Sequence, residues 1–288
     1  NSTDTVIRYE DVKIECGLAT LLIETIREGQ NIHTKGRDKK QGDIVIRSGR
    51  NIDATVISMA ASVGKSELLV SKQPRVVIIT TGDELVPVNG VPTPWQIRSS
   101  NNYTIKAVLE QHQLHPDLLH LPDDIDISRQ QIGECLARYD VLLLSGGVSM
   151  GKFDYVPQVL EELGVTKLFH KVHQRPGKPF WFGKQDKGAL VFAFPGNPVS
   201  AFLCLHRYFL PWLHAAEPAP AMYAVLDADV TFSPRLQFFM QVSLQHNQQG
   251  VLIATPMEGH GSGDFANLLD SNAFMELPLE NSAFSKGE

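Results

Sequence analysis

Hydrophobic positions change their rhythm twice along the chain. From Thr5 to Ile26 they alternate irregularly, densest at Thr5-Val6-Ile7 and Leu21-Leu22-Ile23, which predicts two or three short strands. A polar stretch punctuated by glycine, Glu28 to Gln41, follows and carries Lys35, Arg37, Lys39 and Lys40. After Asn51 the spacing turns helical through Val56, Met59, Ala60 and Val63, with Asp53 placed as an N-cap and Gly64 as a stop.

From Arg75 the rhythm becomes strand, turn, helix. Arg75 to Thr80 and Asp140 to Ser145 are apolar runs of the kind buried on both faces of a parallel sheet. Leu118 to Leu121, Val165 to Val172 and Ala189 to Phe194 are the other predicted strands. Helices are predicted from Ser100 or Asn101, from Asp126 or Ser128 to about Arg138, from Asp154 to Leu163, and from Pro198 or Val199 to about Leu213. Pro211, Pro218 and Pro220 mark a linker. Beyond it Met222 to Asp229, Leu236 to Leu244, Val251 to Pro256 and Ala273 to Leu279 read as strands with no helix between them.

The predicted fold class is therefore α/β. A central doubly wound, mostly parallel sheet is flanked by a partial β and helical N-terminal region and a small all-β C-terminal domain. The expected segments are 1–27, the tail of an N-terminal β domain; 28–73, a helical linker domain; 74–217, the α/β domain; and 218–288, the all-β domain.

Composition narrows the partners. A formal charge of -6 with no long basic run argues against nucleic acid. The longest apolar stretch, around Ala189 to Phe194, is too short to span a bilayer. Cys16, Cys135 and Cys204 are far apart and form no CxxC, so neither a disulfide framework nor a thiolate zinc site is supported. A reducing, cytoplasmic location is expected.

In an open parallel sheet, ligands bind at the carboxyl ends of the strands. Thr80-Thr-Gly-Asp-Glu-Leu85 places two carboxylates at one such end. Ser145-Gly-Gly-Val-Ser-Met-Gly-Lys-Phe-Asp154 follows a buried strand with three glycines and two serines, a loop whose backbone N–H groups can approach a phosphate. On that reading a Gly147→Val change weakens nucleotide binding more than folding. Asp154 has two open roles, capping the next helix or holding a divalent cation beside phosphates. Phe194-Pro-Gly-Asn-Pro-Val-Ser200 is another strand, tight turn and helix start. Arg175-Pro-Gly-Lys-Pro-Phe180, following Lys171, supplies cations for an anionic substrate. The histidines show no metalloenzyme spacing.

Together these strand ends resemble the family of MoeA and the gephyrin E domain. The resemblance rests on residues 81–85, 145–154, 175–180 and 195–200, extends to Gly29 to Asp38 and to Gly259 to Ser262, and covers nearly the whole chain. It implies a molybdopterin molybdenumtransferase of molybdenum cofactor biosynthesis, which inserts molybdate into adenylated molybdopterin and releases AMP with Mg²⁺ or another divalent cation. Carried over by position, Glu84, Asp123, Asp154, Lys171 and Arg175 match residues important for activity, and Asp38 matches an acid of the helical linker domain. Gly146, Gly147, Ser149 and Asp154 fall at the nucleotide phosphates and Mg²⁺. Arg175, Lys178, Ser200 and Ser262 fall around molybdate. Pro195, Gly196, Asn197 and Pro198 fall at the pterin pocket.

The resemblance also implies a homodimer that completes each pocket with an N-terminal domain of the partner, so a chain without that domain is expected to be inactive. The molybdopterin adenylyltransferase is an implied partner. Arg175 stands for a family lysine, Met240 for an arginine near the oxyanion, and Asp264 for a polar or basic residue; Arg235 is the expected substitute for the missing guanidinium. Two alternatives stay open: a fold-retaining scaffold that binds a partner, and an enzyme like the adenylyltransferase.

Overall fold

At the start of the first helix, Asp53 acts as its position predicts: its Oδ1 accepts from Val56 N at 2.8 Å, and α1 runs Ala54–Ser62. Ahead of it, Val12–Glu15 (β1) and Leu18–Leu21 (β2) pair antiparallel across Cys16 and Gly17. Both turn residues have positive φ, 49° and 79°, the signature of a two-residue hairpin whose twist matches its strands. The computed structural model describes residues 3–148, 155–186, 188–214, 222–233, 235–259, 261–264 and 266–288. These elements belong to one unit, Asn1–Ser71; the rest of the chain, Lys72–Glu288, forms a second.

The second unit is organised by strands whose alternate residues serve opposite cores. Val76–Thr81 (β3) is buried throughout. Val77 and Ile79 pack with Leu142, Leu144 and Val191 on one face, while Val76 and Ile78 pack with Leu143, Phe192 and Phe194 on the other. A strand with apolar partners on both sides needs the continuous hydrophobic run seen in the sequence. Short β4 (Leu85–Val86) and β5 (Ile97–Arg98) pair with each other after β3. Then come α2 (Asn101–Gln111), β6 (Asp117–Leu121), α3 (Ile125–Arg138), β7 (Val141–Ser145), α4 (Val156–Glu162), β8 (Thr166–His170), β9 (Gln174–Arg175), β10 (Trp181–Lys184) and β11 (Leu190–Phe194). The sheet order is β6-β3-β7-β11-β10-β8. The first four strands are parallel, and β10 runs antiparallel to both β11 and β8. Helices α3 and α4 cover the Val77 face, whereas α2 and α5 (Pro198–Cys204) cover the Val76 face. A π-helical turn, Leu205–Phe209, continues α5 into α6 (Leu210–Leu213).

The doubly wound sheet matches the expectation from sequence. Three details do not. The strand β10 and the β4/β5 pair are additions, and α3 is capped by Asp124 rather than Asp126 or Ser128. Asp124 Oδ1 accepts from the N–H groups of Asp126 and Ile127, both at 2.9 Å, so it takes the orphan donors of the first turn. The start of the helix expected from Asp154 lies outside the described residues.

The C-terminal part comprises β12 (Val225–Leu226), β13 (Val230–Thr231), β14 (Gln237–His246), β15 (Leu252–Pro256), β16 (Ala273–Leu277) and β17 (Ala283–Phe284), with one 3-10 turn at Ala266–Leu268. Its main sheet has the order β12-β15-β14-β16. β14 also pairs in parallel with β9, setting Gln237 beside Gln174 and Phe238 beside Arg175. That ladder fixes the C-terminal sheet against a loop of the α/β part, and a cleft opens there. No helix among the described residues is long and apolar enough to cross a membrane.

Candidate functional site

The carboxyl ends of β3, β6, β7 and β11 share one edge because the four strands are parallel and in adjacent register. The loops leaving that edge are tied together by named hydrogen bonds. Asp83 N donates to Asp123 Oδ2 at 3.3 Å, and Asp123 N returns one to Asp83 Oδ1 at 3.2 Å, which holds the β3 and β6 loops side by side. Asn101 Nδ2 donates both to Ser145 Oγ at 2.8 Å and to Gly196 O at 2.7 Å, joining the loops after β7 and β11. From the C-terminal part, Ser262 O accepts from Val199 N at 3.1 Å and Ser262 Oγ accepts from Asn197 Nδ2 at 2.8 Å.

Between these loops lies a cleft of about 720 Å³. Glu84 and Asp123 form its acidic edge and Gly146 and Gly147 part of its floor, while Pro195, Gly196, Asn197 and Ser200 form one wall. Arg175 and Lys178 supply the cations, and Ser262 reaches in from the C-terminal part. Neither Arg175 nor Lys178 forms an ion pair among the described residues, although the Arg175 guanidinium lies 5.7 Å from the Phe232 ring. Both cations and both carboxylates thus line the same cleft.

Gly147 has φ 68°, and a Cβ there would sit 2.6 Å from Val156 Cγ2 and 3.0 Å from Thr81 Oγ1. The glycine is thus required by packing against α4 as well as by any approach to phosphate. Against the expectation that Gly147→Val weakens nucleotide binding more than folding stands this geometry, in which the added side chain clashes within the fold itself. By contrast a Cβ on Gly196 meets only Gly146 Cα, at an ordinary 3.7 Å.

The structure gathers most of the residues singled out from sequence, and leaves others apart. Lys171 follows β8 with φ 67°, its N–H bonded to Phe180 O at 2.9 Å, and it is not part of the cleft lining. Pro198 begins α5 and is likewise outside the lining. Asp38 belongs to the first unit, where its carboxylate lies 3.0 Å from His33 Nε2. Ser149 and Asp154 lie outside the described residues. Arg235 is exposed and does not line the cleft, so the expected substitute guanidinium is not in place; Met240, 7% exposed, packs with Val242 and Leu277 while touching the cleft. Sequence reasoning missed Gln174, Phe238, Phe239, Gln241 and Met257, which also line it.

Comparisons with known proteins bear on the same regions. Residues 1–64 match the MoeA N-terminal region (domains I and II), residues 77–215 match the probable molybdopterin binding domain, and residues 223–288 match the MoeA C-terminal region (domain IV). The chain is 38% identical over 288 residues to the molybdopterin molybdenumtransferase of Synechocystis sp., a match covering 99% of this chain and 72% of that protein. It is 31% identical to the Haemophilus influenzae protein of the same name, covering 99% and 72%. Among solved structures it is similar to the molybdopterin biosynthesis MoeA protein of Pyrococcus horikoshii OT3, with a TM-score of 0.78, 27% identity, and coverage of 98% of this chain and 69% of that one.

Proposed function

This chain belongs to the family of molybdopterin molybdenumtransferases, transferases of molybdenum cofactor biosynthesis, and we propose that its cleft inserts molybdate into adenylated molybdopterin with release of AMP. The observation that carries the reading is the presence, within one cleft, of the cations Arg175 and Lys178, in no ion pair among the described residues, together with the acids Glu84 and Asp123. Molybdate is a dianion, and the substrate it must approach is itself anionic through its dithiolene and pyrophosphate. Bringing the two together needs local positive charge that the net charge of -6 does not supply. Arg175 and Lys178 offset that repulsion, while Ser200 and Ser262 offer hydroxyls to the oxyanion. Pro195, Gly196 and Asn197 border the pterin. Gly146 and Gly147 present backbone to the pyrophosphate, and Ser149 follows them in the sequence.

Mg²⁺ fits the acidic edge. Glu84 and Asp123 offer hard oxygen donors in the cleft, and Asp154 is a further acid in the sequence after Gly146 and Gly147. Among the described residues no three acids, histidines or cysteines converge as a cage, which suits a cation held by one or two carboxylates together with substrate phosphate. When bound, the cation neutralises phosphoryl oxygens and polarises the anhydride. The working form is a cytoplasmic homodimer that receives its substrate from the molybdopterin adenylyltransferase.

The reading is tested by incubating the protein with adenylated molybdopterin, molybdate and Mg²⁺ and measuring AMP. Molybdate-dependent AMP release that falls at least about a hundredfold in Asp123→Asn, a change consistent with lost metal and phosphate charge compensation, supports it. Release unaffected by Asp123→Asn removes the acidic edge from the reaction.

A further inference from the structure

Gln174 is a polar residue only 3% exposed, flanked by Cys204 and by the aromatic stack of Phe180. A buried amide is tolerated only if both its ends are bonded. Here both are. Its Nε2 donates to Pro176 O at 2.9 Å, and its Oε1 accepts from the Tyr208 hydroxyl. The Tyr208 ring in turn stacks on Phe180 with centroids 4.4 Å apart and planes at 11°. Burial, and next the neighbouring Cys204, push the Tyr208 phenol up to about 12, so it remains a donor.

The loop from 174 to 180 has an inner and an outer side. Gln174, Gly177 and Phe180 are buried and Arg175 and Lys178 are exposed, and all of these but Phe180 border the cleft. On the inner side the backbone is pressed onto the Gln174 amide. Gly177 has φ 90°, and a Cβ there would sit 2.7 Å from Gln174 Nε2 and 2.8 Å from Cys204 Sγ. At its start the loop is fixed by the β9–β14 ladder and by Gln174 N donating to Val172 O at 2.9 Å. Between that ladder and Phe180, the amide bridge from Tyr208 holds the backbone at Pro176, beside Val172 N donating to Lys178 O at 2.9 Å and Phe180 N donating to Gly177 O at 3.1 Å.

We propose that Gln174 and Tyr208 are positioning residues for the oxyanion: their hydrogen bond holds the 174–178 loop so that Arg175 and Lys178 converge on one anion. The proposal rests on reading those two cations as the molybdate-binding edge. Cations held in place before the anion arrives bind it more tightly than the same cations on a loop that must order first. Gln174, engaged at both ends within the protein, acts through its neighbours.

The test is a calorimetric titration of molybdate into the full chain as wild type, Tyr208→Phe, Lys178→Ala and the double variant, with a thermal melt of each. Tyr208→Phe keeps the ring stack and removes only the donor. The expected result is about tenfold weaker molybdate affinity in Tyr208→Phe, measured well below its melting temperature. In the Lys178→Ala background the same change is expected to add little, because the group it positions is gone. Gln174→Met gives the parallel comparison if Tyr208→Phe folds poorly. Unchanged affinity in both Tyr208→Phe and Gln174→Met, with Lys178→Ala still weakened, overturns the positioning role and leaves the cationic edge standing. Penalties that simply add in the double variant overturn it too, as the mark of a general loss of structure. If Lys178→Ala binds molybdate like wild type, the cationic edge itself is wrong and the proposal goes with it.

Discussion

Replacing Gly147 with alanine isolates how tightly the floor of the cleft is packed. Two costs are expected. The backbone at φ 68° is left-handed, which costs an L side chain roughly 1–2 kcal/mol. The new Cβ would also lie 2.6 Å from Val156 Cγ2, and Val156 is 3% exposed in the first turn of α4, so it has little room to withdraw. Overpacking of that kind costs about 1–3 kcal/mol. The total, about 2–5 kcal/mol, should lower the melting temperature of the second unit by the order of 5–15 °C. Gly164→Ala supplies the control. Gly164 has a similar φ of 78°, yet a Cβ there meets nothing within 4 Å, so only the backbone cost applies. Thermal melts followed by circular dichroism compare the two variants directly. A Gly147→Ala protein no less stable than Gly164→Ala would refute the packing argument and restore the view that this glycine serves phosphate alone.

Two other expectations follow from the geometry. Asp140 takes the Arg75 guanidinium at 2.9 and 3.1 Å and its N–H at 2.7 Å, which holds its carboxyl at about 2 instead of 3.8. The stability it adds is therefore present above pH 3.8 and lost as pH falls through about 2; because the pair is about half exposed, Asp140→Asn should cost only ~1 kcal/mol at pH 7, and urea titrations should show that gap closing by pH 2. Gly196→Val should leave the melting temperature within about 2 °C, since its Cβ has an ordinary neighbour, yet weaken binding of a molybdopterin ligand about tenfold by filling the cleft wall; normal binding would take Gly196 out of the site.

The fold was legible where burial is two-sided. Val76 to Thr81 and Val141 to Ser145 have to be apolar without interruption because each alternate residue faces a different helical layer. Trp181–Lys184 escaped notice for the opposite reason. It is a four-residue strand containing a glycine, directly after Pro-Gly-Lys-Pro-Phe, and only its pairing with Thr166–His170 and Leu190–Phe194 makes it a strand. Of the site, the glycines, prolines, cations and acids at strand ends could be read because their residue types carry chemistry. Gln174 could not, since its meaning depends on Tyr208, 34 positions away on a helix. Nor could Phe239, whose sequence pattern is that of any strand of the C-terminal sheet, or Met257, which follows the end of β15. Met240 stood out only through the family resemblance, and the structure turns it toward the core formed with Val242 and Leu277 as well as toward the cleft.

The central claim is that the oxyanion binds at the cationic edge of this one cleft, and locating the ion tests it most directly. Crystals of the protein soaked with molybdate, with data collected at a wavelength where molybdenum scatters anomalously, would place the ion without reference to the chain. The account predicts an anomalous peak between Arg175, Lys178 and Ser200, with Ser262 close by, and its loss in an Arg175→Ala/Lys178→Ala double variant. A peak at any other site, or one that survives the double variant, would contradict it.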